Sequence, residues 1–396
     1  MNLDSYFSVA DFEAAARRLL PRAVYGYVVG GTEDGLTVNA NRQCFDQLMF
    51  RPRGLMGVAA RSQTVQLWDR SYPSPIGIAP MGITAICRRQ CDMELAKAAR
   101  AKGLPFVLSG VSNTPLETIQ AATGGGTWYQ GYFPGDTERL ERIIDRLRKA
   151  DIDVLVVTSD TPVAANRENN ERNGFTLPFR PSWPLFWDGV RHPRWSYQVF
   201  LKTLLNEGIP RLANLYEEIG PPITREPKQG FRGGRDLLTW DHLSWLRERW
   251  PGKLVVKGIL HPDDAIEAVD RGMDGIIVSN HGGRQLDGAL PALTALPGIK
   301  AVVPEPFPVM IDGGFRRGTD VLKAVALGAR MVFVGRPALY GATVAGQQGV
   351  AKVLDMFSTE IDRNLALLGC PDIKDFGAYY LDPVQLARMN GSQETA

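Results

Sequence analysis

Short runs of apolar and β-branched residues recur along this chain, each too short for a helix and bounded by glycine, proline or polar residues. Between most of these runs lies a segment with apolar residues at helical spacing, as at 92–102, 137–149, 262–271 and 319–327. Near-continuous apolar strands that alternate with amphipathic helices are typical of parallel β/α units. Eight strands are predicted in this way, at residues 75–79, 106–109, 128–132, 154–160, 254–258, 275–280, 308–313 and 331–336.

Eight β/α units in one chain predict an α/β fold of the (β/α)8 or TIM-barrel type, which needs about 250 core residues. We place this core at about 75–341, within a single domain that spans 1–396. A doubly wound open sheet is the alternative, but no G-x-G-x-x-G motif follows the first strand. Residues 1–74 are expected to form an N-terminal helical cap that covers the barrel bottom or reaches its rim.

A long insert is predicted after the fourth strand, at about 175–236. Its first half, at 175–215, mixes tryptophan, phenylalanine and tyrosine with arginines, a composition that suits a lipid interface. An ordinary capping subdomain or a subunit contact is the alternative. The glycine-rich remainder, about 217–236, is interpreted as a loop over the barrel mouth.

Composition excludes several classes of protein. With 45 basic and 43 acidic residues the net charge is +2, which gives no reason to expect a nucleic-acid partner. Four cysteines and four histidines form no ligand cluster along the chain, so we expect neither a disulfide framework nor a metal site. The few cysteines predict reduced thiols in a cytoplasmic compartment. Neither a secretory signal nor an apolar run of about 18 residues is found, so no membrane-spanning helix is expected.

Glycines and arginines follow the last two predicted strands. Gly313 and Gly314 let backbone amides approach an anion, and the following helix presents its positive end. Arg316 and the Gly335-Arg336 pair add positive charge at the neighbouring strand end. Because these loops of a (β/α)8 barrel commonly bind phosphate, the pattern predicts a phosphorylated ligand.

Polar side chains also end four earlier strands. Ser109, Gln130, Thr158 and Lys257 would ring the barrel mouth with hydroxyl, amide and ammonium groups. Such donors and acceptors match the edge of a flat heterocycle, and a lysine stabilises negative charge that develops on it. Together with the phosphate loops they predict flavin mononucleotide, FMN.

His281 and Arg284 lie directly after the sixth strand on a glycine-rich turn. A titratable base beside a fixed cation suits an anionic substrate that must lose a proton. A basic surface turn would give the same local sequence. The polar strand ends around it favour the catalytic interpretation.

Four segments together resemble the FMN-dependent (S)-2-hydroxy acid oxidase/dehydrogenase family. Residues 279–287 resemble its active-site signature, 312–320 with 335–336 its phosphate site, and 20–27 its N-terminal helix motif. The resemblance runs from about residue 20 to about 369, and the mandelate dehydrogenase branch of the family looks most similar.

The resemblance implies roles for individual residues. His281 would be the general base and Asp160 would orient it. Catalysis would rest on His281, Asp160, Arg284, Tyr132 and Lys257, and substrate binding on Tyr27, Tyr132, Arg167, His281 and Arg284. The cofactor would be bound by Pro80, Met81, Gly82, Ser109, Gln130, Thr158, Lys257, Ser279, Asp312, Gly313, Gly314, Arg316, Gly335 and Arg336.

The implied reaction is oxidation of (S)-2-hydroxy acids to 2-oxo acids. Small residues at Val111, Ala164 and Ala165 favour a bulky or aryl substrate, as mandelate is. The insert and Gly82 favour a quinone or another membrane acceptor, and thus peripheral attachment to the inner face of the cytoplasmic membrane. Alternatives are an oxygen-using oxidase, an L-lactate dehydrogenase and a non-redox FMN barrel isomerase. The family also suggests a homotetramer.

Overall fold

Eight parallel strands form one sheet in the computed structural model, which describes residues 2–227 and 230–389. The second to the eighth strands pair in chain order around the sheet, and the first strand pairs with the eighth. A parallel bridge between Ile78 and Phe106 joins the two remaining edges and closes the barrel. The predicted (β/α)8 barrel is therefore confirmed. The strands are β1 Ile76–Ile78, β2 Val107–Ser109, β3 Trp128–Gly131, β4 Val154–Thr158, β5 Lys253–Ile259, β6 Gly275–Val278, β7 Val309–Asp312 and β8 Met331–Val334.

Helices surround the barrel and extend beyond it. An antiparallel pair, Val65–Leu67 with Arg70–Tyr72, precedes β1. The longest helix described, Arg336–Leu368, is interrupted at Ala345 and Gly346, which have non-helical backbone angles. The helices are α1 Val9–Leu19, α2 Arg22–Val29, α3 Leu36–Asp46, α4 Cys91–Ala101, α5 Leu116–Thr123, α6 Thr137–Lys149, α7 Glu168–Arg172, α8 Trp183–Arg191, α9 Pro193–Trp195, α10 Lys202–Asn206, α11 Trp240–Arg249, α12 Pro262–Asp270, α13 Ala292–Val302, α14 Gly318–Ala326, α15 Arg336–Leu368 and α16 Pro383–Met389.

Strand register places polar residues side by side at the mouth of the barrel. Every residue of β4 is buried because the strand packs on the barrel interior and on surrounding helices. Thr158 at its end pairs with Lys257 of β5, and Ser109 of β2 pairs with Gln130 of β3. The register thus brings the predicted cofactor-binding residues to one end of the sheet.

The N-terminal helices reach the rim of the barrel, which is one of the two positions expected for them. Tyr27 and Val28 of α2 line the cavity at the barrel mouth. The first half of the insert after β4, for which no secondary structure was predicted, is helical: α8, α9, a π-helical turn at Ser196–Leu201 and α10 follow one another there. The sequence held a start signal for α8: the Ser182 hydroxyl accepts a hydrogen bond from the Leu185 amide at 3.4 Å, and a proline lies in the first turn.

Candidate active site

The centre of the site is a histidine–aspartate pair. His281 follows β6 with a left-handed backbone, φ 60°, and its Nδ1 lies 2.9 Å from Oδ1 of Asp160, which follows β4. The side chains are 18% and 14% exposed. Burial lowers the pKa of His281, although the Asp160 carboxylate acts in the opposite direction. The neutral imidazole therefore donates from Nδ1 and keeps Nε2 as a base.

A buried ion pair lies beneath this histidine. Lys257 Nζ approaches Oδ2 of Asp312 at 3.0 Å and donates to the Ser279 hydroxyl at 2.7 Å. Burial lowers the pKa of Lys257, but Asp312 and Asp160 outweigh that effect and raise it overall. The ammonium is thus held charged in the barrel interior. The Ser279 hydroxyl also accepts from the His281 amide at 3.0 Å, which links the ion pair to the base.

Three predicted polar residues form a row across neighbouring strands. The Ser109 hydroxyl donates to Gln130 Oε1 at 3.0 Å, and Gln130 Nε2 donates to the Thr158 hydroxyl at 2.8 Å. All three side chains are buried. Since each bond fixes the next group, the amide of Gln130 is held in one orientation at the cavity wall.

The phosphate site has one part that fits the prediction and one part that does not. Gly313 and Gly314 have φ of 106° and 86°, and a Cβ at Gly314 would lie 2.0 Å from the Asn41 carbonyl oxygen. This turn therefore requires glycine and leaves its backbone at the cavity. The start of α14 is not open to an anion, because the Gly318 amide already donates to Glu360 at 2.7 Å. The amides of the two residues before it, Arg316 and Arg317, donate to Asp320.

Arg336 differs from its expected role in the direction of its side chain. Its guanidinium donates to the carbonyls of Val28 at 2.9 Å, Gly282 at 3.0 Å and Gly30 at 3.1 Å. Burial lowers the pKa of Arg336, and repulsion by Arg284 adds to this effect. Its side chain secures the end of α2, while its backbone begins α15 beside the glycine turn, where a helix start favours an anion.

Two further arginines, Arg167 and Arg284, line the same cavity. Arg284 donates to the carbonyls of Tyr27 and Gly30, both at 2.8 Å. Arg167 donates to the Arg284 carbonyl at 2.9 Å and to Gln285 at 3.0 Å. These bonds fix both guanidinium groups at the wall of the cavity that His281 also lines, a position suited to a carboxylate.

The two tyrosines predicted to bind substrate have different surroundings. The Tyr27 hydroxyl donates to the Gly82 carbonyl and accepts from the Ile83 amide at 3.2 Å. It supports the loop after β1, so its contact with substrate stays a prediction. The Tyr132 ring lies 6.4 Å from the His281 ring, and burial raises the pKa of its hydroxyl.

One cavity of about 610 Å³ joins these parts, a size typical of small-molecule sites. Ser109, Asp160 and Ser279 lie behind its wall and hydrogen-bond to residues that line it. The other predicted site residues all line it: Tyr27, Pro80, Met81, Gly82, Gln130, Tyr132, Thr158, Arg167, Lys257, His281, Arg284, Asp312, Gly313, Gly314, Arg316, Gly335 and Arg336.

Sequence analysis missed two arginines of this cavity. Arg232 and Arg235, from the second half of the insert, also line it. The glycines around these two arginines are the only signal in the sequence, and they indicate a loop without showing that it lines the cavity. Leu177, Leu212 and Phe231 add an apolar wall that was not predicted either.

The residues present fit FMN. The glycine turn and Arg316 suit its phosphate, and the Ser109–Gln130–Thr158 row offers alternating polar groups for a heterocycle edge. Lys257 places a fixed positive charge at the same wall. Among the described residues, no group of histidine, cysteine and carboxylate side chains could hold a metal ion.

Comparisons with known proteins agree with this geometry. The family described as FMN-dependent dehydrogenase matches residues 16–383. (S)-mandelate dehydrogenase of Pseudomonas putida is 37% identical over 95% of this chain and 93% of its own. An L-lactate dehydrogenase of Acinetobacter baumannii is 36% identical over 93% of this chain and 95% of its own.

A solved structure extends the similarity to three dimensions. The crystal structure described as monotopic membrane protein (S)-mandelate dehydrogenase superposes with a TM-score of 0.86 at 36% identity. The match covers 96% of this chain and 99% of the other. The match of the family over most of the chain, together with the barrel and its glycine turn, shows that the chain belongs to the FMN-dependent dehydrogenase family.

Proposed function

We propose that this enzyme oxidises (S)-2-hydroxy acids with bulky side chains to 2-oxo acids. The observation that carries the proposal is the position of the His281–Asp160 pair beside Arg167 and Arg284 in one cavity. A base and a pair of cations in a cavity that also holds a phosphate turn suit the oxidation of a small carboxylate. The family membership supports a flavin as the oxidant.

Each residue has a role that follows from its contacts. Arg167 and Arg284 bind the substrate carboxylate and fix the molecule beside the base. His281 takes up the proton that the substrate loses, at Nε2, because Nδ1 is bonded to Asp160. The Asp160 carboxylate stabilises the imidazolium that results. When bound, FMN would accept the two electrons and the second hydrogen that this oxidation removes from the substrate.

Lys257 would act on the flavin and not on the substrate. Its ammonium is pinned by Asp312 and Ser279, so it needs no reorganisation when negative charge develops nearby. We propose that it lies at the polar edge of the flavin. The positive charge of Lys257 would neutralise negative charge that develops on the flavin, and would therefore favour its acceptance of electrons.

The wall near the base suits a large side chain. Val111, Leu177, Leu212 and Phe231 line the cavity with apolar surface, and Ala164 occupies little space. An aryl or long aliphatic group would bury against these residues, whereas lactate would leave them exposed. Mandelate is the reference substrate of this class, and the mandelate dehydrogenase relative supports the choice.

Anaerobic flavin bleaching tests the proposal directly. We expect (S)-mandelate to bleach the flavin absorbance band of the purified protein rapidly, and (S)-lactate to do so slowly. Bleaching by lactate alone would move the activity to that of the lactate dehydrogenase relative. Failure of every 2-hydroxy acid tried would reject the proposed reaction while leaving the barrel and the flavin in place. Slow return of colour in air would disfavour an oxygen-using oxidase.

We further propose that the insert attaches the protein to a membrane, where a quinone or another acceptor reoxidises the flavin. Large apolar side chains of α8 and the following π-helical turn face solvent, with Trp183 76% and Tyr197 58% exposed. Exposed apolar patches of this kind mark interaction surfaces. No helix among residues 2–227 and 230–389 is long and apolar enough to cross a membrane. The relative described as monotopic supports surface attachment.

Contacts hold this patch against α2 and against the segment that follows β1. The Trp195 indole donates to the Ile86 carbonyl at 2.7 Å, and Asp188 accepts from the Ala23 amide at 3.1 Å. The patch therefore keeps a fixed position relative to the active site. The homotetramer stays a prediction, and a subunit contact at this patch is the alternative that the test must separate.

Vesicle binding tests the membrane proposal. Replacing Trp183, Phe186 and Trp187 by serine should abolish cosedimentation with anionic vesicles, because the aromatic anchors are lost. Leu367→Ser, an exposed apolar residue of α15, is the matched control and should leave binding unchanged. Unaltered vesicle binding of the triple variant, with loss of an oligomer, would assign the patch to a subunit contact.

A further inference from the structure

We propose that the preferred substrate carries a second negative group at the end of its side chain, bound by Arg232 and Arg235. This inference rests on the proposed function and narrows its substrate class to dianionic 2-hydroxy acids. The cavity holds more positive charge than a substrate with one carboxylate and a cofactor with one phosphate would neutralise.

Besides Arg316 and Arg336, four guanidinium groups line this cavity, those of Arg167, Arg232, Arg235 and Arg284. All four side chains are half-buried. Among the described residues, none of the four forms a salt bridge with a carboxylate. Charged side chains withdrawn from water without an acidic partner are costly, so an anionic ligand is the expected compensation.

These cations act on one another. Burial lowers the pKa of Arg167, and repulsion by Arg284 and Arg232 lowers it further. Burial likewise lowers the pKa of Arg235, and repulsion by Arg232 lowers it further. The repulsion thus links Arg167 to Arg284 and Arg232, and Arg232 to Arg235. An anion bound among them would relieve it.

Arg232 and Arg235 are held in place before any ligand binds. The Arg235 guanidinium lies 4.3 Å from the centre of the Tyr132 ring and donates to the Phe231 carbonyl at 2.9 Å. Arg232 donates to the Val163 carbonyl at 3.0 Å. Each contact uses only part of a guanidinium, whose five N–H groups leave donors for a ligand.

The segment that carries them is anchored to the barrel. The Gly135 amide, after β3, donates to the Gly234 carbonyl at 2.7 Å. A Cβ at Gly135 would lie 2.3 Å from the Leu237 carbonyl oxygen, so the two backbones are in close contact. The two arginines are thus a fixed part of the cavity wall, and their position is suited to recognition.

The other charged groups of the cavity have assigned roles, whereas Arg232 and Arg235 have none. Asp312 pairs with Lys257, Arg316 lies at the phosphate turn, and Arg167 and Arg284 suit the carboxylate next to the base. Leu177, Leu212 and Phe231 line the same cavity. A substrate with an apolar body and a terminal anion would match the apolar wall and the two remaining cations.

Two pairs of substrates test the inference, each differing only by a charge. (S)-2-hydroxyglutarate is compared with its 5-amide, and 4-carboxymandelate with 4-carbamoylmandelate. We expect kcat/KM of the wild-type holoenzyme to favour the carboxylate in at least one pair by about tenfold or more. Arg232→Gln and Arg235→Gln should abolish this preference and change kcat/KM for the amides little. Arg225→Gln, an exposed arginine of the same insert, is the matched control.

Binding of the corresponding 2-oxo acids gives a second readout that needs no turnover. Their Kd values, from the flavin spectrum of the oxidised holoenzyme, should show the same preference and the same loss. Equal Kd and kcat/KM within both pairs would overturn the inference and leave the proposed function standing. An equal loss for both members in the variants would also overturn it and assign these arginines to the shared carboxylate. If none of the hydroxy acids, mandelate included, bleached the flavin, both proposals would fall.

Discussion

The replacement Asp160→Asn isolates the electrostatic part of the proposed base. Asparagine can still accept the hydrogen bond from His281 Nδ1 through its amide oxygen, so the change removes charge with little change of shape. Opposite unit charges 4 Å apart attract by about 4 kcal/mol at an effective dielectric constant of 20. That energy corresponds to about three pKa units. The pKa of His281, already lowered by burial, should therefore fall further in the variant.

The rate of flavin reduction by a 2-hydroxy acid is the assay, measured anaerobically against pH. His281 must be neutral to accept a proton, so the wild-type rate is retained above its pKa and lost as pH falls through it. In the variant this acidic limb should move to lower pH. The plateau should drop by about 10²–10⁴-fold, the range of a general base contribution, because a weaker base accepts the proton less readily.

Asp263→Asn is the control, since Asp263 makes an exposed contact of 3.5 Å with His261 outside the cavity. Its pH profile should equal that of the wild type. A lower plateau in Asp160→Asn with an unmoved acidic limb would refute the electrostatic reasoning and leave Asp160 with a purely orienting role.

Other replacements test the remaining parts of the site. His281→Gln should retain FMN yet lose most of the reduction by substrate, and a near-normal rate would reject the assignment of the base. Arg284→Met should raise KM and lower kcat, because a carboxylate clamp acts in the ground and transition states; an unchanged KM would argue against it. Gly314→Ala should destabilise the protein by more than about 2 kcal/mol, since strain at positive φ adds to overlap with a backbone carbonyl. Gly288→Ala, with φ 77° and open space around it, should cost only about 1 kcal/mol in the same denaturant titration.

The barrel and most of its mouth could be predicted because parallel strands have a simple sequence signature. Both faces of such a strand are buried, so each reads as an uninterrupted apolar run, and the polar residue that ends it must lie at the rim. The pattern predicts Lys257 and His281 as site residues in this way. The structure adds that Ser279, which directly follows β6, bonds to both residues.

Residues outside the repeating units were harder to predict. Arg232 and Arg235 lie on an insert with no strand or helix period to fix their direction. The side chain of Arg336 turns to the carbonyls of α2, a choice of rotamer that residue type alone does not determine. The role of Asn41 at the glycine turn rests on its backbone carbonyl, which every residue possesses.

The bonds from Arg336 to α2 join parts of the chain that are 308 residues apart in sequence. A ribosome would therefore release the N-terminal helices long before their partners after β6 and β8 exist. The mouth can close only once the last strand has been synthesised, so a nascent chain that ends before β8 has no complete cofactor site. Because a ligand that binds only the completed barrel stabilises it by mass action, loading with FMN should protect the first helices from proteolysis as strongly as the last. Cofactor supply would then act as a checkpoint on the maturation of the whole chain.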